Sequence, residues 1–214
     1  KTISSGAALL RKTAVSYLGV LSKTKALTAL KGILAGASIG EKQSAFAVLA
    51  KLAGPEAEAM IQEALDQLLA GKANAALHLD ILEAAEKRPE GAVKKKLNAY
   101  LASLPQGDEV APFHVALHGG DVAAGRKVFL EKVEVACIRC HKLKGKGGDV
   151  GPIQDGIGAR HPRQYLLESI VAPSKTIAEG FASVSVELNS GDEFNGTVKS
   201  ETETELVLNL TDGS

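Results

Sequence analysis

Residues 136–152 run Ala-Cys-Ile-Arg-Cys-His-Lys-Leu-Lys-Gly-Lys-Gly-Gly-Asp-Val-Gly-Pro, and they hold the only two cysteines of the 214-residue chain. Cys137 and Cys140 are three apart, and His141 follows the second directly. Side chains three apart on a helical turn project side by side, so two thiols and an imidazole converge on one small patch. Two cysteines fall three apart by chance in about 1 of 100 chains of this length, and a histidine follows in about 1 of 40 of those. A bridge between them would close almost no loop, which excludes a disulfide framework as the main device.

Outward from this stretch the chain is helical on one side and strand-like on the other. Asp121 is a suitable N-cap for a helix through Val122, Arg126, Val128 and Phe129 that leads to the cysteines. After them come a Gly-rich loop over 141–161 and a helix of about ten residues around Tyr165 to Val171. The period then changes to two. Phe181 to Leu188, Phe194 to Lys199 and Leu206 to Leu210 are expected as three short antiparallel strands, the first closed by Asn189-Ser190-Gly191-Asp192. The final Thr211-Asp212-Gly213-Ser214 is a turn signal, so this unit is expected to be truncated at its C-terminus.

Upstream, residues 7–104 are rich in Ala, Leu and Lys, with apolar residues at three- and four-residue steps. Leu27, Leu30, Ile33 and Leu34 form one stripe. Phe46, Leu49, Ala50 and Ala53 form the next, ahead of the stop at Gly54-Pro55. Pro55 opens a third helix, Leu77 to Arg88 belong to a fourth, and Pro89 is expected to start a fifth ending near Leu104. Short amphipathic helices joined by short turns suit an antiparallel array, and the pattern resembles HEAT-type α-solenoid repeats; a closed helical bundle is the alternative. The fold class is therefore mainly α, with helical repeats over 1–104. A linker is expected at 105–118, where Pro, Gly and Asp mix, and the second unit at 119–214.

Charge and composition exclude other classes. The 25 Lys+Arg balance 25 Asp+Glu, which gives no basic surplus for nucleic acid or a membrane surface. No run nears the roughly 18 apolar residues of a membrane span. The first 104 residues carry five more basic than acidic side chains (14 against 9) and the remainder five fewer (11 against 16), in keeping with two units. The chain starts at Lys1 with no leader-like order of charged, apolar and small residues, so it is expected to be a mature or excised segment.

The Cys137-Ile138-Arg139-Cys140-His141 pattern is that of covalent c-type haem attachment. Both thiols reach the two vinyl-bearing positions on one porphyrin edge, and His141 lies under the ring. One imidazole nitrogen binds iron while the other donates to an acceptor that fixes the ring, and Pro152 offers a carbonyl in the Gly151-Pro152 turn. Two other readings compete. A thioredoxin-like pair requires a preceding βαβ unit, which is missing. A zinc site would add His141 and His161 but lacks the usual second close pair.

The runs Gly125-Arg126-Lys127-Val128-Phe129, Gly147-Gly148-Asp149-Val150-Gly151-Pro152, Gly156 to Arg160, Tyr165 to Ile170 and Pro173-Ser174-Lys175, with the Cys-His motif among them, carry a family resemblance. Residues 119–214 resemble the haem-binding c-type cytochrome domain of planctomycetes and verrucomicrobia. The resemblance implies a class I-like cytochrome c fold with a small β insertion, and a place behind HEAT-like repeats in a larger dehydrogenase-like protein. It implies one covalent haem c, held at Cys137 and Cys140 with His141 as proximal ligand and Pro152 receiving its Nδ1–H. Arg160 matches a basic position suited to a propionate. Ile153-Gln154 departs from the family's Asp-Leu, which alters the side chain packed on the haem face at Ile153.

The sixth iron ligand is open. Met60, the only methionine, falls inside the helical array and is expected as core. His161 is the best internal candidate, ahead of His114 and His118 in the linker, with Lys175 behind them; His78 is expected as a satisfied core-edge histidine. The resemblance implies an electron-transfer module rather than an enzyme in this segment, with a dehydrogenase domain or a redox partner protein as donor. A haem enzyme or a peroxide or gas sensor with an open sixth position is the alternative, and a scaffold with a structural haem is a third. Covalent haem attachment places the chain in the periplasm or another extracytoplasmic space.

Overall fold

The computed structural model describes residues 13–15, 17, 18 and 22–210. The expectations for residues 7–12 and for the turn at 211–214 lie outside them. The chain is mainly helical with one small antiparallel sheet, and it divides into two compact units, Lys1–Gly120 and Asp121–Ser214.

Among the described residues of the first unit the longer helices are, in order, α1 Lys23–Gly36, α2 Ile39–Leu49, α3 Pro55–Leu69, α4 His78–Glu86 and α5 Ala92–Ser103. Ser38 starts α2 with a capping box, its backbone N–H donating to Glu41 Oε2 at 3.1 Å. Pro55 stands in the first turn of α3, where a missing N–H costs nothing. The fifth helix begins at Ala92 rather than at Pro89, because Gly91 supplies the N-cap.

Alternate helices pack together, α2 on α4 and α3 on α5, while sequence neighbours also touch. Their apolar stripes close over Leu30, Leu49, Ile61 and Leu65, all fully buried. Two charged side chains are buried among the described residues of this unit, Glu41 in the capping box of α2 and Arg88. Arg88, 6% exposed, donates through Nη1 to Leu52 O at 2.7 Å and through Nη2 to Leu49 O. It thereby adds a charged donor to two carbonyls at and just past the C-terminus of α2, where a cation also suits the helix dipole. Burial lowers the guanidinium pKa, and the Glu58 carboxylate opposes that shift.

The stretch expected as a linker packs on this unit. Residues 111–117 form a 3-10 turn with Val110 and Ala111 buried. Gln43 on α2 donates from Nε2 to Gly119 O at 2.7 Å and to Ala76 O at 3.1 Å, and a Cβ at Gly119 would collide with the Ala76 backbone. The boundary between units falls after Gly120, two residues past the expected linker.

The second unit holds α6 Val122–Glu131, the single turn α7 Cys137–Cys140, the short α8 Ile157–Arg160 and α9 Arg163–Val171. Asp121 caps α6, accepting from the Ala123 and Ala124 N–H groups at 3.0 Å each. A meander follows: β1 Ser183–Glu187, β2 Glu193–Glu201 and β3 Leu206–Leu210. Val186 pairs with Phe194 and Thr197 with Asn209, and the register shifts by a bulge between Val198 and Ser200. Gly196 faces Asn209 so closely that a Cβ there would strike its carbonyl.

The two units differ in how they bury apolar surface. Helices α6 to α9 contain no buried residue, and Ala172 is the single buried position among residues 121–180. Val128, Ile153 and Ile170 are 45%, 51% and 79% exposed.

Candidate functional site

The site is built on α7. Its N-cap Ala136 takes a left-handed conformation at φ 45°, uncommon for a residue with a Cβ, and turns the chain into the helix. Cys137 and Cys140 then lie on one face, the first half-buried and the second exposed, both as free thiols. The His141 N–H closes the turn on Cys137 O at 3.0 Å, and His141 itself is extended at φ −106° and ψ 137°.

The Gly-rich loop folds back under that turn. Gly148 N donates to Ile138 O at 3.1 Å and Gly151 N to Cys140 O at 2.8 Å. Such an approach excludes side chains. A Cβ at Gly148 would collide with Arg139 O, and one at Gly151 would stand 2.6 Å from His141 Cε1 and 2.7 Å from Nδ1. A Lys142–Asp149 ion pair and the Lys144 N–H bond to the Asp155 carboxylate at 2.9 Å hold the loop's flanks.

This return places the Pro152 carbonyl 2.9 Å from His141 Nδ1. A carbonyl can only accept, so the tautomer that bonds it carries the proton on Nδ1 and, in the neutral ring, leaves Nε2 its lone pair. Gln154 completes the cluster, its Nε2 lying 2.9 Å from Pro152 O and 3.0 Å from His141 Nδ1. Gln154 is the member that the sequence reading missed. The Ile153-Gln154 departure was visible there, but nothing in the sequence signals that the amide turns towards the imidazole.

Arg160 is committed to the same loop, donating from Nη1 to Asp155 O at 2.6 Å and from Nη2 to Ile153 O at 3.2 Å. Ile153 is half exposed. His161, one residue on, stacks on Tyr165 with ring centroids 4.0 Å apart and planes 14° from parallel. The remaining candidate ligands lie elsewhere. Lys175 pairs with Glu168 at 3.0 Å, His78 Nε2 lies 3.1 Å from Ala73 O, and His114 is half-buried in the 3-10 turn. Met60 packs against the core of the helical unit.

Chemically, the patch offers two free thiols on one turn and an oriented imidazole. Among the described residues no three His, Cys, Asp or Glu side chains gather as a metal site, so Cys137, Cys140, His141 and His161 do not form a tetrahedral zinc set. No strand precedes Cys137 within its unit, where a thioredoxin-like pair would need one. The chain matches no family model, no curated protein and no solved structure.

Proposed function

We propose that residues 121–214 form a monohaem c-type cytochrome module that carries single electrons. The observation that carries this reading is the His141 imidazole, anchored at Nδ1 by Pro152 beside a turn that presents two free thiols. A second feature of this chain fits the same group. Helices α6 to α9 bury no residue, and a planar apolar ligand of macrocycle size would give exposed apolar side chains such as Val128 and Ile153 a partner.

Cys137 and Cys140 would hold the haem through thioether bonds, each thiol adding across a vinyl group, and His141 would hold the iron through Nε2. Pro152 fixes the ring angle, and the glycines at 148 and 151 leave room for the loop beneath. Ile153 gives an apolar contact to the macrocycle, while Arg160 holds the loop through Ile153 and Asp155 and stands near enough to that segment to pair with a propionate. The haem supplies a one-electron ferric/ferrous couple. The helical unit, read as HEAT-like repeats, serves as spacer or docking surface for a dehydrogenase domain or redox partner, in the periplasm or another extracytoplasmic space.

The test is a pyridine haemochrome assay with oxidised and reduced spectra, on chain produced alongside c-type maturation machinery. Covalent haem with reversible reduction is the expected result. Chain that emerges without covalent haem overturns the reading and returns Cys137 and Cys140 to thiol chemistry.

A second reading rests on the engagement of the sixth-ligand candidates: His161 on Tyr165, Lys175 on Glu168, and Met60 in the helical core. If no protein side chain completed the iron, the module would be a haem enzyme or a peroxide or gas sensor. Carbon monoxide binding to the ferrous form without displacement of a protein ligand would favour it.

A further inference from the structure

We infer that Gln154 is a positioning residue for His141, and that its amide raises the reduction potential of iron held at His141 Nε2. The inference rests on the haem reading above and concerns what sets the electronics of that ligand.

Gln154 Nε2 is 2.9 Å from Pro152 O and 3.0 Å from His141 Nδ1. Pro152 O accepts only, so the amide nitrogen rather than its oxygen must face it. The opposite flip would set two oxygens against each other. With Nδ1 protonated, the imidazole and amide nitrogens are both donors and do not bond each other across their 3.0 Å separation; both converge on the single Pro152 carbonyl.

The backbone holds Gln154 in that place. Its N–H donates to Lys142 O at 2.9 Å, its carbonyl receives Ile157 N at 3.2 Å, and Arg160 binds the carbonyls on either side, Ile153 O and Asp155 O. The half-buried side chain is therefore set by its segment.

The electronic consequence follows from sharing. A carbonyl polarised by one donor is a weaker acceptor for a second, so the Nδ1–H bond of His141 is weaker than an unshared bond to Pro152. An imidazole whose Nδ1 proton is less drawn away has less imidazolate character and donates less density through Nε2. Less donation disfavours the ferric state, and the potential rises. The sequence departure at 153–154 thereby becomes a tuning element rather than a packing detail.

The variants Gln154→Leu and Gln154→Glu separate the cases, measured by spectroelectrochemical titration of the full chain carrying covalent haem. Leu keeps the bulk and removes the donor, so Pro152 O passes wholly to His141 and the potential falls. Glu also loses the donor and offers a carboxylate to the Nδ1–H, so the potential falls further. The expected change is about threefold to tenfold in the ferric/ferrous ratio at a fixed potential, the upper end being about 59 mV for a one-electron couple.

Equal potentials in all three proteins, or a rise in either variant, overturn the inference and leave the cytochrome reading intact. Wild-type chain without covalent haem overturns both. A second readout needs no haem: one Gln154 side-chain amide proton in the wild-type chain should exchange with solvent more slowly than those of exposed Gln67. Equally fast exchange at Gln154 overturns the inference whatever the variants do.

Discussion

The Pro152 carbonyl lies 2.9 Å from His141 Nδ1 across eleven positions of sequence. That bond decides which imidazole nitrogen is available. In the haem-loaded chain, His141→Gly removes the proximal ligand while both thioethers remain. The visible spectrum should shift, and added imidazole should restore it by filling the space left between the turn and Pro152. An unchanged spectrum in His141→Gly would show that another side chain holds the iron.

Gly151→Ala tests the loop beneath the site. The new Cβ would stand 2.6 Å from His141 Cε1 and 2.7 Å from Nδ1, while Gly151 N must still reach Cys140 O. Neither group can retreat without losing the Pro152 bond. Overpacking of this kind costs about 1–3 kcal/mol. The expected outcome is a lower yield of covalent haem and an earlier thermal transition of the second unit, followed by visible absorbance. Wild-type loading and melting in Gly151→Ala would mean that the loop does not rest on the imidazole.

Arg88→Met should destabilise the helical unit by about 3 kcal/mol, because two carbonyls at the end of α2 lose a charged donor inside the core. Arg88→Lys should recover only part of this, since one ammonium cannot span Leu49 O and Leu52 O with the guanidinium's fork. Urea denaturation followed by far-ultraviolet circular dichroism measures both. A midpoint that does not move in Arg88→Met would show that solvent satisfies these carbonyls.

Burial raises the Tyr100 hydroxyl pKa above its usual 10.0. The folded state therefore holds this proton at pH values where the unfolded chain releases it. Its contribution to stability is complete below about pH 10 and is lost as pH rises through the range between the two values. Stability of the helical unit should decline there, and Tyr100→Phe should flatten the decline. A decline identical in wild type and Tyr100→Phe would assign it to other groups.

The helices were legible in the sequence because period and punctuation agree: stripes such as Leu27 to Leu34, the Gly54-Pro55 stop and, in the second unit, the Asp121 cap each act within a few residues. The three strands were legible from alternation and the Asn189 to Asp192 turn. Residues 105–118 were not, since their composition is that of a linker and only contacts such as Gln43 to Gly119, made 76 positions apart, dock the segment's end. In the site, adjacency showed Cys137, Cys140 and His141. The Gln154 amide and the grip of Arg160 on Ile153 and Asp155 depend on how a Gly-rich loop closes, and a side chain's direction there has no periodic signature.

The last prediction concerns ligand removal. Folding stability scales with apolar surface withdrawn from water, and between residues 121 and 180 only Ala172 is withdrawn fully. The β-meander adds Gly196 and Thr197, which is a small core for more than ninety residues. The helical unit, with Leu30, Leu49, Ile61 and Leu65 fully buried, has no such deficit. Chain made without haem attachment should therefore unfold in two stages. The second unit should lose structure at low urea over a broad range and be cut first by protease, while α1 to α5 unfold later and cooperatively. Covalent haem should narrow and raise the first transition and leave the second in place, because a ligand bound only by the folded state stabilises the unit that holds it. A second unit that unfolds as sharply without haem as with it would mean that its half-exposed faces at Val128, Ile153 and Ile170 need no ligand, and the haem reading would lose its packing argument.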